Sequence, residues 1–385
     1  MADGQKNLNV GFLFDDTLDS NDGVAQYVKT LGAWLSGQGH EVSYLVGQTR
    51  LSNWSGSKVY SLAHNIPVFF NGNNLSIPLP ANRATIKSLL ASRDFDILHV
   101  MMPHSPMMSQ IVINQALPQT TVVGTFHIYP AGQLTIIGAK TLRFLYGRGL
   151  SRITQVVSVS PAAARFARQA FGLDTRVVPN MVDLKRFKTT TNKLAVNSSD
   201  IVFLGRLVPR KGVRELLEAF IALRACVPEA RLIIAGDGPE RPSLEKIVRK
   251  NNLGDSVKFL GYVKEAHKPK LLASARIACF PSLGGESFGI VLIEAMAAGA
   301  GVVLGGDNPG YQSVLGGQPE LLVDARDAER LAQRLEMFLN DKDATSRMHS
   351  WQQKQVRQYD VEVVGRQILD VYRQAIAKHG PGGHN

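Results

Sequence analysis

The sequence predicts an α/β protein with two domains, each built around a parallel β-sheet. Its length of 385 residues exceeds what one hydrophobic core usually organises, so two domains of roughly 150 to 200 residues are expected. Short apolar runs of strand length also alternate with helical patterns along most of the chain, as in βαβ units. A break in this alternation near residue 180 divides the chain into two such runs.

The first run opens with a strand at residues 8–14, a helix at 24–37 and a strand at 41–46. Further elements complete the run: strands at 97–100, 121–125 and 155–159, and helices at 83–91, 110–115 and 161–170. We expect this first domain to occupy residues 1–180.

The second run starts after a loop at residues 179–187 and a polar stretch at 188–200, which we expect to connect the domains. Strands are expected at 201–204, 231–235, 257–260, 278–281, 301–304 and 321–323, with helices such as 213–226 and 287–298. The second domain is expected to occupy residues 181–360. An amphipathic helix at 361–377 ends the fold.

The composition excludes several classes of protein. No run of 18 apolar residues occurs, which excludes a spanning helix and leaves only surface attachment to a bilayer. The two cysteines, Cys226 and Cys279, lie in apolar surroundings and are expected to be buried, so a disulfide framework is excluded. The polar N-terminus lacks the pattern of a signal peptide, and a cytoplasmic protein is expected.

The formal charge of +11 is concentrated in one segment that contains no acid between Asp96 and Asp174. This segment carries the bases Lys140, Arg143, Arg148, Arg152, Arg165 and Arg168. It predicts an anionic partner, and an anionic lipid surface fits better than nucleic acid, because no stacking platform accompanies the charges. Lys140, Arg143, Arg148 and Arg152 are the expected membrane or acceptor contacts. The alternative is a basic face that is merely solvated.

The most specific stretch is GGESFGIVLIEAMAAG at residues 284–299. A strand is expected to end at Pro281, and two glycines let the backbone approach a ligand before a helix begins, which favours an anion site. Glu286 and Glu294 are eight residues apart, which on a continuous helix places them about two turns apart and near the same side. The alternative for either acid alone is a capped helix with an ordinary ion pair.

This stretch resembles the E-x7-E signature of the family-four retaining glycosyltransferases, and its wording is closest to the phosphatidylinositol mannosyltransferases of that family. Other segments are similar to the family's motifs: GRLVPRKG at 205–212, AGDGPE at 235–240, GYV at 261–263, GHEV at 39–42, DFDILH at 94–99, GTFH at 124–127 and PNMVD at 179–183. The likeness therefore extends over nearly the whole chain.

The resemblance implies the GT-B fold, in which two Rossmann-like domains with parallel sheets face a central cleft and a C-terminal helix packs back on the first domain. It implies transfer of a hexose, with mannose favoured, from a nucleotide diphosphate sugar to a lipid acceptor of the phosphatidylinositol type. GDP-mannose is the favoured donor and UDP-glucose the alternative. No metal or other cofactor is expected, although Asp15 and Asp16 form an acidic pair. The protein is expected to act at the inner face of the cell membrane.

The resemblance also implies roles for individual residues. Arg206 and Lys211 would hold the donor diphosphate, Glu286 the hydroxyls of the donor sugar and Glu294 the ribose, while His127 would lie near the reaction centre. The four expected catalytic residues are His127, Arg206, Lys211 and Glu286. The other expected donor contacts are Gly23, Gly205, Gly261, Tyr262, Val263, Gly285, Ser287, Phe288, Gly289 and Ile290. No catalytic base is assigned.

The sequence leaves the identity of the acceptor open. After GTFH the chain continues IYPAG, where the inositol-lipid enzymes have polar acceptor-site residues. The loop that follows DFDILH contains Met101, Met102, Pro103 and His104, and it is more apolar than the corresponding loop of those enzymes. A soluble or polysaccharide acceptor, or a UDP-sugar-dependent transfer to diacylglycerol, is the alternative. A non-catalytic protein that binds nucleotide sugars or nucleic acid is the remote alternative.

Overall fold

The computed structural model describes residues 6–20, 22–70, 73–79, 82–103, 105, 108–129, 149–188 and 199–380. The chain forms two compact units, Met1–Met181 with Val361–Asn385, and Val182–Asp360. The stretch 188–200, expected as the connection between domains, falls within the second unit by this division. Residues 189–198 of that stretch lie outside the described residues.

The first unit is built on an eight-stranded sheet with the order β10-β9-β8-β7-β1-β2-β4-β3. Its strands are β1 (Asn9–Phe14), β2 (Glu41–Val46), β3 (Asn53–Trp54), β4 (Ser57–Ser61), β7 (Ile97–Val100), β8 (Thr121–Phe126), β9 (Ile153–Ser158) and β10 (Arg176–Val177). Neighbouring strands are parallel, except β3 with β4. Strands β5 (Asn65–Phe70) and β6 (Asn73–Pro78) form a separate antiparallel pair. The sequence pattern did not indicate β3 to β6, where Asn, Ser, Gly and Pro interrupt the apolar residues.

Helices cover this sheet: α1 (Gly23–Gly37), α2 (Arg83–Arg93), α3 (Met108–Gln115) and α4 (Pro161–Phe166), which continues as a π-helix (Ala167–Phe171). The C-terminal helix (Val361–His379) belongs to this unit, as the GT-B fold implies. It approaches α1 closely, because a Cβ added at Gly365 would lie 2.5 Å from the Trp34 ring. The Trp34 Nε1–H also donates to Glu362 at 3.0 Å.

Both faces of the first sheet are buried, which explains the near-continuous apolar strands in the sequence. Phe12 and Phe14 of β1 pack into one hydrophobic cluster together with residues of α1 and the C-terminal helix. The intervening Leu13 packs into a second cluster together with residues of α2 and α3. Alternate residues of the strand therefore point to opposite faces, as the pleat requires.

The second unit has a six-stranded, all-parallel sheet with the order β13-β12-β11-β14-β15-β16. The strands are β11 (Asp200–Leu204), β12 (Arg231–Ala235), β13 (Val257–Gly261), β14 (Ile277–Phe280), β15 (Val302–Gly306) and β16 (Leu322–Val323). Counted within the unit, this is the order 3-2-1-4-5-6 of a Rossmann sheet. The α/β class with two Rossmann-like domains is thereby confirmed.

The helices of the second unit are α5 (Leu184–Phe187), α6 (Val213–Cys226), α7 (Arg241–Lys250), α8 (Lys268–Ala273), α9 (Ile290–Ala298), α10 (Pro309–Leu315), α11 (Ala328–Asn340) and α12 (Lys342–Gln355). Short 3-10 helices lie at Pro209–Lys211, Glu265–His267, Pro319–Leu321 and Val356–Tyr359. Two expectations are wrong. Cys226 is exposed, because it faces outward at the end of α6. The helix expected at 287–298 begins only at Ile290, after Gly289 in a left-handed conformation with φ of 102°.

Candidate functional site

The carboxyl ends of β11 and β14 lie side by side where the strand order of the second sheet reverses. Loops that leave two such strands turn away from each other, so a crevice opens between them, and ligands of Rossmann domains bind at this point. The loop after β11 carries Arg206, Arg210 and Lys211, and the loop after β14 carries Glu286. The topology therefore brings three bases and one acid to one edge of the sheet.

The two loops are joined through the backbone of Arg210. Its carbonyl oxygen accepts hydrogen bonds from the Leu283 N–H at 2.8 Å and from the Ser282 hydroxyl at 3.0 Å. Gly212 ends the 3-10 helix with φ of 70°, and a Cβ there would lie 2.0 Å from the carbonyl oxygen of Pro281. Only glycine fits this close approach, so the position of the bases relative to the acid is fixed by backbone packing.

Glu286 lies at the centre of this edge, and its Oε1 atom is the meeting point of three contacts. The Arg210 guanidinium is 2.7 Å from Oε1, and the Lys211 ammonium is 2.8 Å from the same atom. The Ser282 hydroxyl donates to Oε1 at 3.0 Å. The acid side chain is 12% exposed, so these contacts form largely away from bulk water.

The charge state of Glu286 follows from its surroundings. Burial raises the pKa of this carboxyl, but the charges of Lys211 and Arg210 lower it by more, so the pKa lies below its ordinary value. The backbone is also held in place, because a Cβ added at Gly310 would lie 2.2 Å from the carbonyl oxygen of Glu286. The result is an ionised hydrogen-bond acceptor at a fixed position.

Glu294 lies one turn into α9 and has different neighbours. Its carboxylate is 3.6 Å from the Lys268 ammonium, which is itself 2.5 Å from Glu265. Glu265 in turn pairs with Arg186 at 3.1 Å. Burial raises the pKa of Glu294 above its ordinary value, and Lys268 offsets only part of this effect. Glu286 precedes the helix and Glu294 lies within it, so the two acids do not share one continuous helix.

The turn at residues 236–238 supports the loop after β11. A Cβ at Gly236 would lie 1.7 Å from the Gly205 carbonyl oxygen, and one at Gly238 would lie 2.4 Å from that of Leu207. The Gly236 N–H donates to the Gly261 carbonyl at 2.8 Å, which connects this turn to the end of β13. Next to it, Tyr262 is 64% exposed. Three segments that are separate in sequence therefore meet at the same edge.

In the first unit, His127 follows β8 and is buried, with its ring edge-on to Tyr27 at a centroid distance of 4.7 Å. A second buried histidine, His99, lies at 2.8 Å from the Tyr372 hydroxyl and 2.7 Å from the Thr125 hydroxyl. Burial, followed by the charge of His127, lowers the pKa of His99 to about 3, so this imidazole is neutral at physiological pH. The two histidines therefore have different partners.

Asp15, which follows β1, has two serine partners. Asp15 accepts hydrogen bonds from Ser105 and, at 2.5 Å, from Ser109, and burial raises its pKa. Within the part of the chain that the structure describes, no group of three or more His, Cys, Asp or Glu residues is arranged to hold a metal ion. Asp15 instead joins the first strand to the start of α3.

Most of the basic segment lies outside the described residues, including Lys140, Arg143 and Arg148. Arg152 is described, and its Nη2 donates to the carbonyl oxygens of Ala116 and Leu117 at 3.1 and 3.2 Å. Its guanidinium therefore contributes to the internal packing of the first unit. None of the helices in the described ranges is both long and apolar enough to cross a bilayer.

Comparison with known proteins identifies the family. Residues 186–355 match the family "Glycosyl transferases group 1", and residues 21–186 match "Glycosyltransferase Family 4". The chain is 33% identical over 374 residues to the phosphatidyl-myo-inositol mannosyltransferase of Mycolicibacterium smegmatis, with 95% of this chain and 93% of that protein covered. The chain is a family-four glycosyltransferase.

Two further matches describe this glycosyltransferase. It is 30% identical over 238 residues to the GDP-mannose-dependent alpha-(1-6)-phosphatidylinositol monomannoside mannosyltransferase of Mycobacterium tuberculosis, with 58% of this chain and 61% of that protein covered. Its fold is shared with the sucrose-phosphate synthase of Thermosynechococcus elongatus, with a TM-score of 0.76, 22% identity and coverage of 96% and 99%. The enzyme is a hexosyltransferase with the GT-B fold, and its donor is a nucleotide sugar.

The expected donor contacts of the glycosyltransferase have different surroundings. Lys211 and Glu286 are in direct contact, whereas Glu294 has its own partners and Arg206 is an exposed residue four positions before Arg210. Around Glu286, Gly285 has φ of 71°, Ser287 and Ile290 are half-buried, and Gly289 sits against Tyr311. Phe288 is 2% exposed and packs edge-on against Tyr359, so only its backbone can face a ligand.

The remaining expected contacts of the glycosyltransferase lie at loop edges. Gly23 is the first residue of α1, and the Asp22 side chain caps this helix by accepting from the N–H groups of Val24 and Ala25 at 2.9 and 3.0 Å. Gly205 directly follows β11, and Val263 lies next to Tyr262.

Sequence reasoning missed Arg210, Ser282 and Lys268. The first was detectable, because a second base directly precedes the lysine of the GRLVPRKG motif. Nothing in the sequence indicated the other two, because their contacts depend on how separate loops pack.

Proposed function

We propose that this glycosyltransferase moves a mannosyl residue from GDP-mannose to a lipid acceptor of the phosphatidylinositol type, with retention of the anomeric configuration. Two observations support this choice of substrates. The relative that spans 95% of the chain is a phosphatidyl-myo-inositol mannosyltransferase, and a second relative is GDP-mannose-dependent. The name of each of these two proteins states that it transfers mannose to an inositol lipid.

The observation that carries the proposal is the contact of Glu286 with Lys211 and Arg210 within 2.8 Å at the switch point of the second sheet. In the proposed reaction the Lys211 ammonium, with Arg206, meets the donor diphosphate. Negative charge grows on that diphosphate as the sugar leaves, and fixed positive charges stabilise it. Glu286, held ionised, accepts hydrogen bonds from hydroxyls of the donor sugar.

The bond changes are simple in this scheme. The bond from the anomeric carbon to the β-phosphate oxygen breaks, and the bond from that carbon to the acceptor oxygen forms on the same face. The acceptor proton passes to the leaving phosphate, so no side chain has to act as base. His127, at the end of β8, is assigned to the surroundings of the donor sugar.

The nucleoside would lie along the other described loops of the second unit. Glu294 is assigned to the ribose, and its raised pKa is consistent with a carboxyl that accepts or donates a hydrogen bond. Residues 261–263 are assigned to the base, and the backbone at 285–290 to the sugar phosphate. Gly23 would approach the diphosphate from the first unit.

A donor and acceptor panel tests the proposed reaction. The protein is incubated with GDP-mannose or UDP-glucose and with vesicles that contain phosphatidylinositol, phosphatidylglycerol or diacylglycerol, or with soluble sugars, and the products are identified by mass spectrometry. Mannosylated phosphatidylinositol is the expected product. Transfer only to a soluble sugar, or only from UDP-glucose to diacylglycerol, would contradict the proposal. Donor turnover without membranes would identify the soluble-acceptor enzyme.

A vesicle-binding experiment tests the membrane contact. We expect the triple change of Lys140, Arg143 and Arg148 to Gln to weaken binding to phosphatidylinositol vesicles, because each base near an anionic surface contributes about 1 kcal/mol. Arg152 is left unchanged, because its guanidinium bonds to two backbone carbonyls. The matched control changes Arg231, Arg249 and Lys250 of the second unit to Gln. Equal binding of both triple variants in a flotation assay would rule out the membrane role of this segment.

A further inference from the structure

Arg210 has no role in the proposed reaction, yet it makes the shortest contact to Glu286. Its guanidinium Nη1 lies 2.7 Å from Oε1 of the acid, compared with 2.8 Å for the Lys211 ammonium. The arginine side chain is 28% exposed and its carbonyl is held by Ser282 and Leu283. The guanidinium is therefore presented to the acid from a fixed backbone.

The proposed function gives Lys211 two anionic partners. In the structure its ammonium is paired with Glu286, and during the reaction it is needed at the diphosphate. If Lys211 turned to the diphosphate and nothing else compensated the acid, a carboxylate with 12% exposure would lose its cation. A buried carboxylate in that situation takes up a proton or weakens the structure around it. A neutral acid would no longer be the acceptor that the donor sugar requires.

We propose that Arg210 is a positioning residue that keeps Glu286 ionised and in place while Lys211 binds the donor diphosphate. This inference rests on the proposed use of a nucleoside diphosphate sugar. All three contacts described for Glu286 involve Oε1, so Oε2 takes no part in them and is the oxygen assigned to the sugar hydroxyls. Arg210 and Ser282 hold Oε1 after the lysine has left.

Proton uptake on nucleotide binding distinguishes this role from a merely structural one. In the wild type, Arg210 keeps the pKa of Glu286 low in both the free and the bound protein, so binding of GDP moves no proton at this carboxyl. In Arg210→Gln, binding draws Lys211 away and burial then raises the pKa of Glu286. The variant should therefore take up additional protons when GDP binds, at most one per site, with the largest uptake at a pH between the pKa of Glu286 in the free and in the GDP-bound variant.

The experiment is calorimetric titration of GDP at pH 5.5 to 7.5 in buffers of different ionisation enthalpy, which gives the number of protons exchanged. We expect excess uptake for Arg210→Gln, and the wild-type value for Arg210→Lys and for the control Arg231→Gln, whose arginine pairs with Asp200. Any proton that GDP itself gains or loses on binding contributes equally in the wild type and the three variants, so it cancels when their proton numbers are compared. Wild-type proton balance in Arg210→Gln together with at least tenfold weaker GDP binding would overturn the inference, because Arg210 would then contact the diphosphate itself.

A second measurement separates this inference from the proposed donor. The Glu286 carboxyl is titrated by carbon NMR in the free protein with labelled glutamate, with its signal assigned by its loss in Glu286→Gln. Arg210→Gln should raise the pKa of this carboxyl and Arg231→Gln should leave it unchanged. If wild type binds neither GDP nor UDP, the proposed donor use fails, and an unchanged pKa in Arg210→Gln rejects the role of Arg210 independently.

Discussion

The two acids of the E-x7-E stretch, eight residues apart, have different electrostatic surroundings. Glu286 lies in the loop before α9 with two cations within 2.8 Å, and its pKa is lowered. Glu294 lies within α9 with one cation at 3.6 Å, which it shares with Glu265, and its pKa is raised. Burial acts in the same direction on both, so the neighbouring charges decide the difference: two cations at Glu286, and one cation together with the acid Glu265 at Glu294.

This difference shows that one sequence motif contains two chemically distinct carboxyl groups. The first is an ionised acceptor suited to a sugar hydroxyl beside a diphosphate. The second has a raised pKa and is proposed to contact a neutral diol, the ribose. Substitution of each acid by its amide isostere tests the distinction most directly.

The largest expected effect is on transfer. Glu286→Gln should lower kcat by about 100- to 1000-fold, the usual loss when one fixed electrostatic contact to the reacting group is removed. Glu294→Gln should cost about tenfold or less, and mainly in KM for the donor, because the proposed ribose contact lies away from the bonds that break and form. Steady-state kinetics with the donor varied measures both. Equal losses in kcat would show that the two acids do not differ in function.

The next effect is on stability, and its dependence on pH has opposite signs for the two acids. The folded pKa of Glu286 lies below its ordinary value of 4.5, so its contribution is present above that pH and is lost as the pH falls through the folded pKa. Glu286→Gln should therefore destabilise at pH 7, by about 2 kcal/mol for a charged hydrogen bond, and less at pH 4.

For Glu294 the folded pKa lies above 4.5, so its ionisation costs stability as the pH rises through that folded value. Glu294→Gln should leave stability unchanged at pH 4 and increase it at pH 7, where Lys268 keeps its pair with Glu265. Urea unfolding midpoints at both pH values check these signs. A loss of stability at pH 7 in both variants would mean that the paired charge of Glu294 is net stabilising.

The smallest expected effect concerns the position of the Glu286 backbone. A Cβ at Gly310 would lie 2.2 Å from the carbonyl oxygen of Glu286, so Gly310→Ala must shift this backbone. We expect about a tenfold lower kcat, because small displacements at a reaction centre are costly. The control is Gly254→Ala, where a Cβ would meet nothing within 4 Å. If Gly310→Ala retained full activity, the exact placement of Glu286 would not limit the reaction.

The sequence predicted the α/β class and most central strands. It also predicted that Lys211 and Glu286, which are in direct contact, belong to one site. Strands such as 41–46, 97–100 and 231–235 were predicted with their observed bounds, because strands buried on both faces leave a continuous apolar run. The short strands at residues 53–78 were not, because Asn, Ser, Gly and Pro interrupt their apolar residues. The start of α9 was placed three residues early, because the left-handed Gly289 has no signal in the apolar pattern.

What the sequence by itself determined was the family and its donor motifs, since these depend on residue types at fixed short spacings. Only the tertiary structure decided which charges meet: Arg210 and Ser282 at Glu286, and Lys268 between Glu265 and Glu294. The physical reason is that a carboxyl pKa depends on burial and on cations within a few ångströms. Those distances are fixed by loops from different strands packing at one sheet edge, which no local spacing encodes.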